Sequence, residues 1–166
     1  MNSAKSNLNE KYDPKKAKAR YLCFSVGTEE YAVSISKVRE VIALPEVTPM
    51  PHTPSYFLGI MNLRGQVISV VDLRRKLNIK PLNGPEISVI ICDLESLCVG
   101  FVVDSINSVL APLPEEISEK SELSTGGSVA YISGIYKKDK RIALILDIEG
   151  MLSDADRKFI LSDKNK

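Results

Sequence analysis

The 166-residue chain has no tryptophan, one histidine, three cysteines and no glycine-rich phosphate-binding motif. His52 lies between prolines and has no second histidine to share a metal site or a catalytic triad, so it is interpreted as a loop residue. The cysteines, Cys23, Cys92 and Cys98, lack CxxC spacing and lie in apolar runs, which predicts reduced core residues. No catalytic, metal or cofactor site is therefore expected, and the chain is not expected to be an enzyme.

No apolar run reaches the ~20 residues of a membrane-spanning helix, and the N-terminus lacks the apolar core of a signal peptide. A cytoplasmic protein without direct membrane insertion is therefore expected. The net charge of +1 is unevenly spread, because residues 1–20 carry six basic and two acidic residues. Residues 1–19 have almost no apolar content, which predicts a disordered basic tail. Residues 21–166 contain sixteen basic and nineteen acidic residues, and this balance disfavours a nucleic-acid-binding face.

The most informative feature that is present is an internal repeat. At an offset of 68 positions, residues 21–26 resemble 89–94 and residues 31–35 resemble 99–103. Further along the offset becomes 75, and the polar stretch 112–128 can hold the seven-residue insertion that this change requires. Pseudo-repeat one covers about 20–80 and pseudo-repeat two about 87–152. Each copy is as short as the smallest independent domains, so the two copies are expected to share an apolar interface.

Short β-branched runs separated by Gly, Pro, Asn or Ser predict an all-β fold of barrels or a sandwich. The predicted strands are 20–26, 30–36, 65–72, 87–94, 97–104 and 141–148. Two helices are expected as well. Thr53 as N-cap, Pro54 at the first helical position and Gly59 at the end predict a short helix near 54–58. Ser153-Asp154-Ala155-Asp156 predicts a C-terminal helix within 153–166.

Positions at which the two copies agree are most simply explained by the fold. Asp72 and Asp147 end equivalent strands, so each is interpreted as a turn-capping carboxylate rather than as one half of an acid–base pair. Positions at which the copies differ are more informative about function. Glu40 corresponds to Ser108, and Arg64 corresponds to the charged hairpin tip 137–140.

Two interpretations of Glu40 and Arg64 remain open, and both can hold. The residues can form a structural ion pair, although exposed pairs stabilise a fold by only ~0–1 kcal/mol. They can also face a partner protein, where charges set register and specificity. Val38, Val41 and Ile42 alternate with charged residues near Glu40. Some of these aliphatic residues must be core, and one that stays exposed would form an apolar docking patch.

Several segments resemble the CheW family of chemotaxis coupling proteins. The resemblance runs from about residue 20 to 160, and its most specific part joins Asn62-Leu63-Arg64-Gly65 to Val70-Val71-Asp72-Leu73. The other matching segments are Phe24-Ser25-Val26-Gly27-Thr28-Glu29-Glu30-Tyr31-Ala32-Val33, Lys37-Val38-Arg39-Glu40-Val41-Ile42, Thr53-Pro54-Ser55-Tyr56-Phe57-Leu58-Gly59, Val99-Gly100-Phe101-Val102-Val103-Asp104 and Ile142-Ala143-Leu144-Ile145-Leu146-Asp147.

The resemblance implies two packed five-stranded SH3-like β-barrel subdomains around a common hydrophobic seam. A strand near the repeat junction can complete the neighbouring barrel in this family. The resemblance also implies a non-enzymatic, cytoplasmic adaptor. Such an adaptor links chemoreceptor (methyl-accepting) cytoplasmic tips to the regulatory domain of the histidine kinase CheA in membrane-associated receptor arrays.

By the same resemblance, the groove between the barrels contacts the receptor's helical hairpin. Gly59 and Gly100 lie where a side chain would disturb this groove. The implied receptor-binding residues are Val38, Glu40, Arg64, Val109, Gly59 and Gly100. Kinase contacts use apolar surface of both barrels and are not assigned to residues. The alternative function is a small-barrel nucleic-acid-binding protein that uses the basic tail, although stacking aromatic residues are few. The absence of a gel shift at low salt would remove that alternative.

Overall fold

The computed structural model describes residues 19–80, 87–119 and 131–163. The predicted basic tail, apart from its last residue, and the chain end beyond 163 lie outside these residues. Within the described residues the chain forms eleven strands and two α-helices: β1 (Tyr21–Val26), β2 (Glu29–Ser34), β3 (Val38–Ala43), β4 (Phe57–Leu63), β5 (Gln66–Asp72), α1 (Leu73–Lys76), β6 (Ser88–Leu94), β7 (Leu97–Val103), β8 (Ser105–Leu110), β9 (Ile117–Ser118), β10 (Ile132–Lys138), β11 (Arg141–Leu146) and α2 (Asp154–Asp163).

The internal repeat is visible in the order of the strands. Strands β1, β2 and β3 recur as β6, β7 and β8 at the offset of 68, and β4 and β5 recur as β10 and β11 at the offset of 75. All six strands expected from the sequence are present. Strands β3, β4, β8, β9 and β10 are additional.

The strands form two sheets, and each sheet contains strands from both pseudo-repeats. The first sheet has the order β8-β1-β2-β11-β10-β9 and the second has the order β3-β6-β7-β5-β4. The pairs β2–β11 and β5–β7 are parallel, and the other pairs are antiparallel. We call the two SH3-like units the first and second subdomain. The first subdomain contains the first sheet, with β1 and β2 from copy one and β8 to β11 from copy two. The second subdomain contains the second sheet, with β3 to β5 from copy one and β6 and β7 from copy two.

Alternation along each strand produces three apolar clusters. In β1, Leu22 and Phe24 point into a cluster that both sheets share, whereas Cys23 points into the interior of the first subdomain. We call the shared cluster the seam. Phe24 in the first sheet and Phe101 in the second are almost completely buried there. The expected apolar interface between the copies is therefore confirmed.

The three cysteines are buried and form no disulfide, in agreement with the predicted reduced core residues. Burial, followed by the nearby Glu30, raises the pKa of Cys23 to about 11, and burial raises the pKa of Cys92 to about 12. Both thiols are therefore protonated at neutral pH, which makes them poor nucleophiles and poor metal ligands.

The short helix predicted near 54–58 is wrong. Residues 55 and 56 form a turn, in which the Phe57 N–H donates to the Pro54 carbonyl at 3.0 Å, and β4 begins at Phe57. The Tyr56 carbonyl accepts the N–H of Asp72 at 2.7 Å, so pairing with β5 draws this backbone into the sheet. The Thr53 hydroxyl donates to the Met50 carbonyl at 3.1 Å, although it was expected to cap a helix. Tertiary pairing has overridden a local signal.

The C-terminal helix is confirmed as α2. A reciprocal capping arrangement begins it, because Ser153 Oγ accepts the N–H of Asp156 and the Asp156 carboxylate accepts the N–H of Ser153. Ile160 is buried in the seam, and the ring of Phe159 lies 5.2 Å from that of Phe57. The helix therefore packs against residues at the start of β4 and the seam between the subdomains.

Candidate functional site

Strand β3 presents one exposed aliphatic side chain. Val38 packs against the seam and Ile42 packs against the interior of the second subdomain, so both are partly buried. Val41 is 40% exposed. The conditional prediction of an exposed aliphatic residue in this stretch is thus met by Val41.

Val41 and Val109 occupy equivalent positions at the margin of the seam. Val41 lies opposite Ile90 on the neighbouring strand, and Val109 lies opposite Leu22; Ile90 and Leu22 both belong to the seam. Directly opposed residues point to the same face of a sheet, so both valines are on the seam side. Val109 is 54% exposed. Each subdomain therefore contributes one exposed valine from the strand at the end of its hydrogen-bonding order.

Glu40 and Arg64 form an ion pair. Arg64 Nη2 donates to both carboxylate oxygens of Glu40 at 2.7 and 2.6 Å. Arg64 has a positive φ of 51° in the β4–β5 turn, and this turn is also held by the N–H of Gly65, which donates to the Asn62 side chain. The Arg64 side chain is 68% exposed. A guanidinium has five N–H donors, so bonding through one nitrogen leaves donors that a partner can use.

A second ion pair lies next to the first along β3, and the sequence did not indicate it. Arg39 Nε and Nη2 donate to the two oxygens of Asp93 at 3.0 and 2.6 Å, and Nη1 donates to Gln66 at 2.9 Å. Hydrogen bonding to Asp93 is the main cause that raises the pKa of Arg39. Arg39 and Asp93 are 54 positions apart, so sequence pattern alone could not pair them.

The corresponding part of copy two is arranged differently. At the position of Gln66 stands Arg141, which donates to Glu30 at 2.7 Å and to Ser108 at 2.9 Å. Burial alone would raise the pKa of Glu30, but hydrogen bonds from Arg141 and Asn107 hold it below its ordinary value. The Arg141 and Glu30 side chains are 39% and 19% exposed, so this pair is more recessed than the Arg64 pair.

The two predicted glycines are buried in the second sheet. Gly59 has a φ of +141°, and a Cβ there would collide with the carbonyl of Thr48, which pairs with Ile60. At Gly100 a Cβ would lie 2.8 Å from Cγ1 of Val89, inside the second subdomain. The structure brings Glu40 and Arg64 into direct contact and places Val38 on the same strand as Glu40. Gly59 lies on β4, which leads into the turn of Arg64, and Gly100 lies on β7.

Asp72 and Asp147 cap the turns that follow their strands, as predicted. Asp72 Oδ1 accepts the N–H of Arg74, and Asp147 Oδ1 accepts the N–H of Gly150. Across the described ranges, no group of three or more His, Cys, Asp or Glu side chains is arranged to hold a metal ion. In the same ranges, no helix has the length and apolar content needed to span a membrane.

Comparison with known proteins identifies the family. A family model described as a CheW-like domain matches residues 20–156. The probable chemotaxis protein CheW of Rhizobium etli is 33% identical over 136 residues, which are 81% of this chain and 88% of that protein. The chemotaxis protein CheW of Klebsiella aerogenes is 32% identical, with 82% of each chain covered.

A solved structure agrees with the sequence comparisons. The crystal structure of the scaffolding protein TtCheW from Thermoanaerobacter tengcongensis matches with a TM-score of 0.75 and 27% identity, over 84% of this chain and 95% of that one. The fold predicted from the sequence, two packed SH3-like subdomains, is thereby confirmed. Because the family model covers most of the residues, the chain belongs to the family of chemotaxis proteins with a CheW-like domain.

Proposed function

We propose that this protein is a non-enzymatic adaptor that couples chemoreceptor cytoplasmic tips to the histidine kinase CheA. Membership of a family of chemotaxis scaffold and coupling proteins supports this function. The single observation that carries the assignment of the site is the Glu40–Arg64 ion pair, whose arginine side chain is 68% exposed, on the strand that also presents Val41 at the margin of the seam. The adaptor acts in the cytoplasm and reaches membrane-associated receptor arrays through its partners.

The receptor-facing surface in this proposal consists of Val38, Glu40, Arg64 and Val109, to which the exposed Val41 is added. Its chemistry suits an amphipathic helical hairpin. Aliphatic side chains on the hairpin would cover the two exposed valines, and polar groups would meet the ion pair. Charges at the rim of such a contact mainly set register and specificity, whereas the apolar centre supplies most of the affinity.

The buried glycines contribute to this surface indirectly. A side chain at Gly59 would separate β4 from the segment at Thr48, and β4 leads into the turn that carries Arg64. A side chain at Gly100 would press on Val89, which lies opposite Ile42 on β3. Substitution of either glycine is therefore expected to weaken receptor binding through displacement of the strands, without loss of a direct contact.

The Arg64→Glu variant tests the proposal. We expect it to fold normally and to weaken receptor-dependent CheA activation by roughly tenfold or more, because like charges would then face each other at Glu40 and at the partner. CheA phosphorylation in reconstituted receptor–kinase complexes measures the effect. Asp139→Lys is the matched control, since Asp139 occupies the equivalent turn position in copy two and also has a positive φ. Full coupling by a folded Arg64→Glu variant would contradict the proposed role of this residue.

A further inference from the structure

The two ends of the seam are related by the internal repeat. After β5 the chain runs Asp72-Leu73-Arg74, and after β11 it runs Asp147-Ile148-Glu149. The Asp72 N–H donates to the Tyr56 carbonyl at 2.7 Å, and the Asp147 N–H donates to the Tyr131 carbonyl at 2.8 Å. Leu73 and Ile148 are both buried in the seam. The backbone frames correspond, but an arginine at one end is replaced by a glutamate at the other.

At the first end the arginine side chain fills the available space. The Arg74 guanidinium lies between two carboxylates, with distances of 3.0 and 3.1 Å to Asp72 and 3.3 Å to Asp104. Arg74 is 12% exposed. The second oxygen of Asp104 accepts the N–H of Gly27 at 2.6 Å, in the β1–β2 turn of the other sheet. The first end is therefore closed by a buried cation that bridges both sheets.

At the second end Glu149 stands at the position that corresponds to Arg74, and it lines a cavity. Glu149 reaches toward Lys37, and the two side chains form an ion pair at 2.5 Å. A cavity of about 210 Å³ remains beside them. Asp147 is one of the residues that line the cavity. The walls are mainly apolar and are formed by Tyr21, Val33, Ile145, Leu146 and Ile148.

The surroundings of this cavity carry excess negative charge. The hydrogen bond to Glu149 is the largest cause that raises the pKa of Lys37, and the charges of Glu95 and Asp147 act in the same direction. Three carboxylates thus act on the Lys37 ammonium, of which only Glu149 is paired with it, and the Arg157 guanidinium donates to the Glu149 carbonyl at 2.8 Å. Within the described part of the chain, Asp147 accepts the N–H of Gly150 at 3.1 Å and forms no salt bridge. An apolar cavity next to an exposed carboxylate that forms no salt bridge suits a side chain with an aliphatic stem and a cationic head.

We propose that this cavity receives an arginine side chain from a partner protein, which occupies the position that Arg74 occupies at the first end. The stem lies against the apolar walls and the guanidinium pairs with Asp147. Arg74 shows that this frame accommodates a guanidinium, whose planar fork matches a carboxylate better than a lysine ammonium does. Neither Glu40 nor Arg64 lines the cavity, and the proposal does not depend on receptor–kinase coupling.

Three small probes test this site on the full-length isotope-labelled protein by NMR. The probes are N-acetyl-arginine-N-methylamide, the isosteric but neutral N-acetyl-citrulline-N-methylamide, and free arginine. We expect the capped arginine to shift the amide signals of Val33, Asp147 and Glu149 saturably, and the citrulline probe to bind at least about tenfold more weakly. Free arginine has the same net charge as the capped form, because its α-ammonium and α-carboxylate cancel, so it should also bind more tightly than the citrulline probe. Equal binding of all three probes would overturn the proposal.

Two variants locate the binding and separate it from folding. Asp147→Asn should weaken capped-arginine binding by roughly tenfold or more. Glu149→Arg should fill the cavity from within the chain and abolish binding while the spectrum stays that of a folded protein. Asp139→Asn, which removes a carboxylate at a distant hairpin tip, is the control and should leave binding unchanged. Unchanged binding by both Asp147→Asn and Glu149→Arg would refute the site.

The source of the arginine is tested by sedimentation of the protein alone over a range of concentrations. A partner-supplied arginine predicts that Asp147→Asn does not change the oligomeric state. Self-association that Asp147→Asn abolishes would assign the arginine to a second copy of the chain and would contradict a separate partner.

Discussion

The interior of the second subdomain holds seven buried apolar side chains among the described residues, whereas the interior cluster of the first holds three, Cys23, Ala32 and Ile145. By the internal repeat, Cys23 in copy one corresponds to Ile91 in copy two, and Ala32 corresponds to Gly100. The first subdomain has instead gained a polar network in which Arg141 joins Glu30 and Ser108. The two copies keep equivalent strands, but different side chains fill the interiors of the two subdomains.

The same contrast holds for the hairpin tips and the ends of the seam. Copy one has an exposed ion pair at its hairpin tip and a buried arginine at its end of the seam. Copy two has a recessed ion pair near its hairpin tip and a cavity at its end of the seam. The turn-capping aspartates Asp72 and Asp147 recur in both copies and serve the fold. We infer that the exposed Glu40–Arg64 pair and the cavity, each found in one copy, are where partner recognition has been added.

The largest difference in stability is expected between substitutions at the two ends of the seam. Arg74→Met should lower the free energy of unfolding by about 3–5 kcal/mol, because it leaves Asp104 buried without its cation and leaves Asp72 only the longer 3.7 Å contact with Arg75. Lys37→Met, at the equivalent end, should have the small effect of an ordinary surface substitution, since the Lys37 side chain is 40% exposed. Urea unfolding of both variants measures the difference. Equal losses of stability would show that the two ends do not differ as described.

The two interiors are compared by one matched pair of substitutions. Ile91→Ala should cost about 2 kcal/mol or more, through lost apolar burial and the cavity that remains. Cys23→Ala, at the equivalent position, should cost about 1 kcal/mol, because a much smaller group is removed. Urea denaturation compares the two variants. A larger loss for Cys23→Ala would contradict the view that the second interior contributes more to stability.

A smaller effect is expected for the first turn of α2. Burial would raise the pKa of Asp156, but hydrogen bonds from Tyr56 and Ser153 and the charge of Lys76 hold it below its ordinary value. The unfolded state therefore binds a proton more readily. The stability from this group is fully present above the unfolded pKa of about 3.9, and it is lost as the pH falls through the lower folded pKa.

This pH dependence is measured through a variant. Asp156→Asn should reduce stability at pH 7, and the difference from the original protein should shrink at pH values below about 4. The control is Asp154→Asn, an exposed acid in the first turn of the same helix. A difference that stays constant from neutral to acidic pH would show that the charge of Asp156 does not stabilise the helix.

The sequence predicted those parts of the fold that depend on local pattern. Strands such as β1 and β7 follow from apolar runs, and α2 follows from its cap. Strand β4 was partly assigned to a helix, because Thr53 and Pro54 carry real helix-start chemistry that pairing with β5 overrides. The placement of β3 beside β6 and of β8 beside β1 could not be derived from pattern, because the equivalent strands of both copies offer similar partners.

The candidate site divides in the same way. The repeat singled out Glu40 and Arg64, since neither charge recurs in copy two, and the ion pair that was one of two open interpretations is present. The burial of Gly59 and Gly100 and the exposure of Val41 depend on sheet order, which the sequence does not specify. The cavity beside Glu149 depends on the direction in which the Glu149 side chain points, compared with Arg74, its counterpart in copy one. The sequence does not specify this direction.

A charge swap tests most directly whether the Glu40–Arg64 surface serves a partner or only the fold. The double variant Glu40→Arg/Arg64→Glu keeps an ion pair between the two positions while it exchanges the charges that a partner would meet. We predict that receptor-dependent CheA activation remains impaired in this double variant, as in Arg64→Glu, although the protein is as stable as the original. Restoration of full coupling by the swap would show that the pair is structural and would contradict the proposed recognition surface.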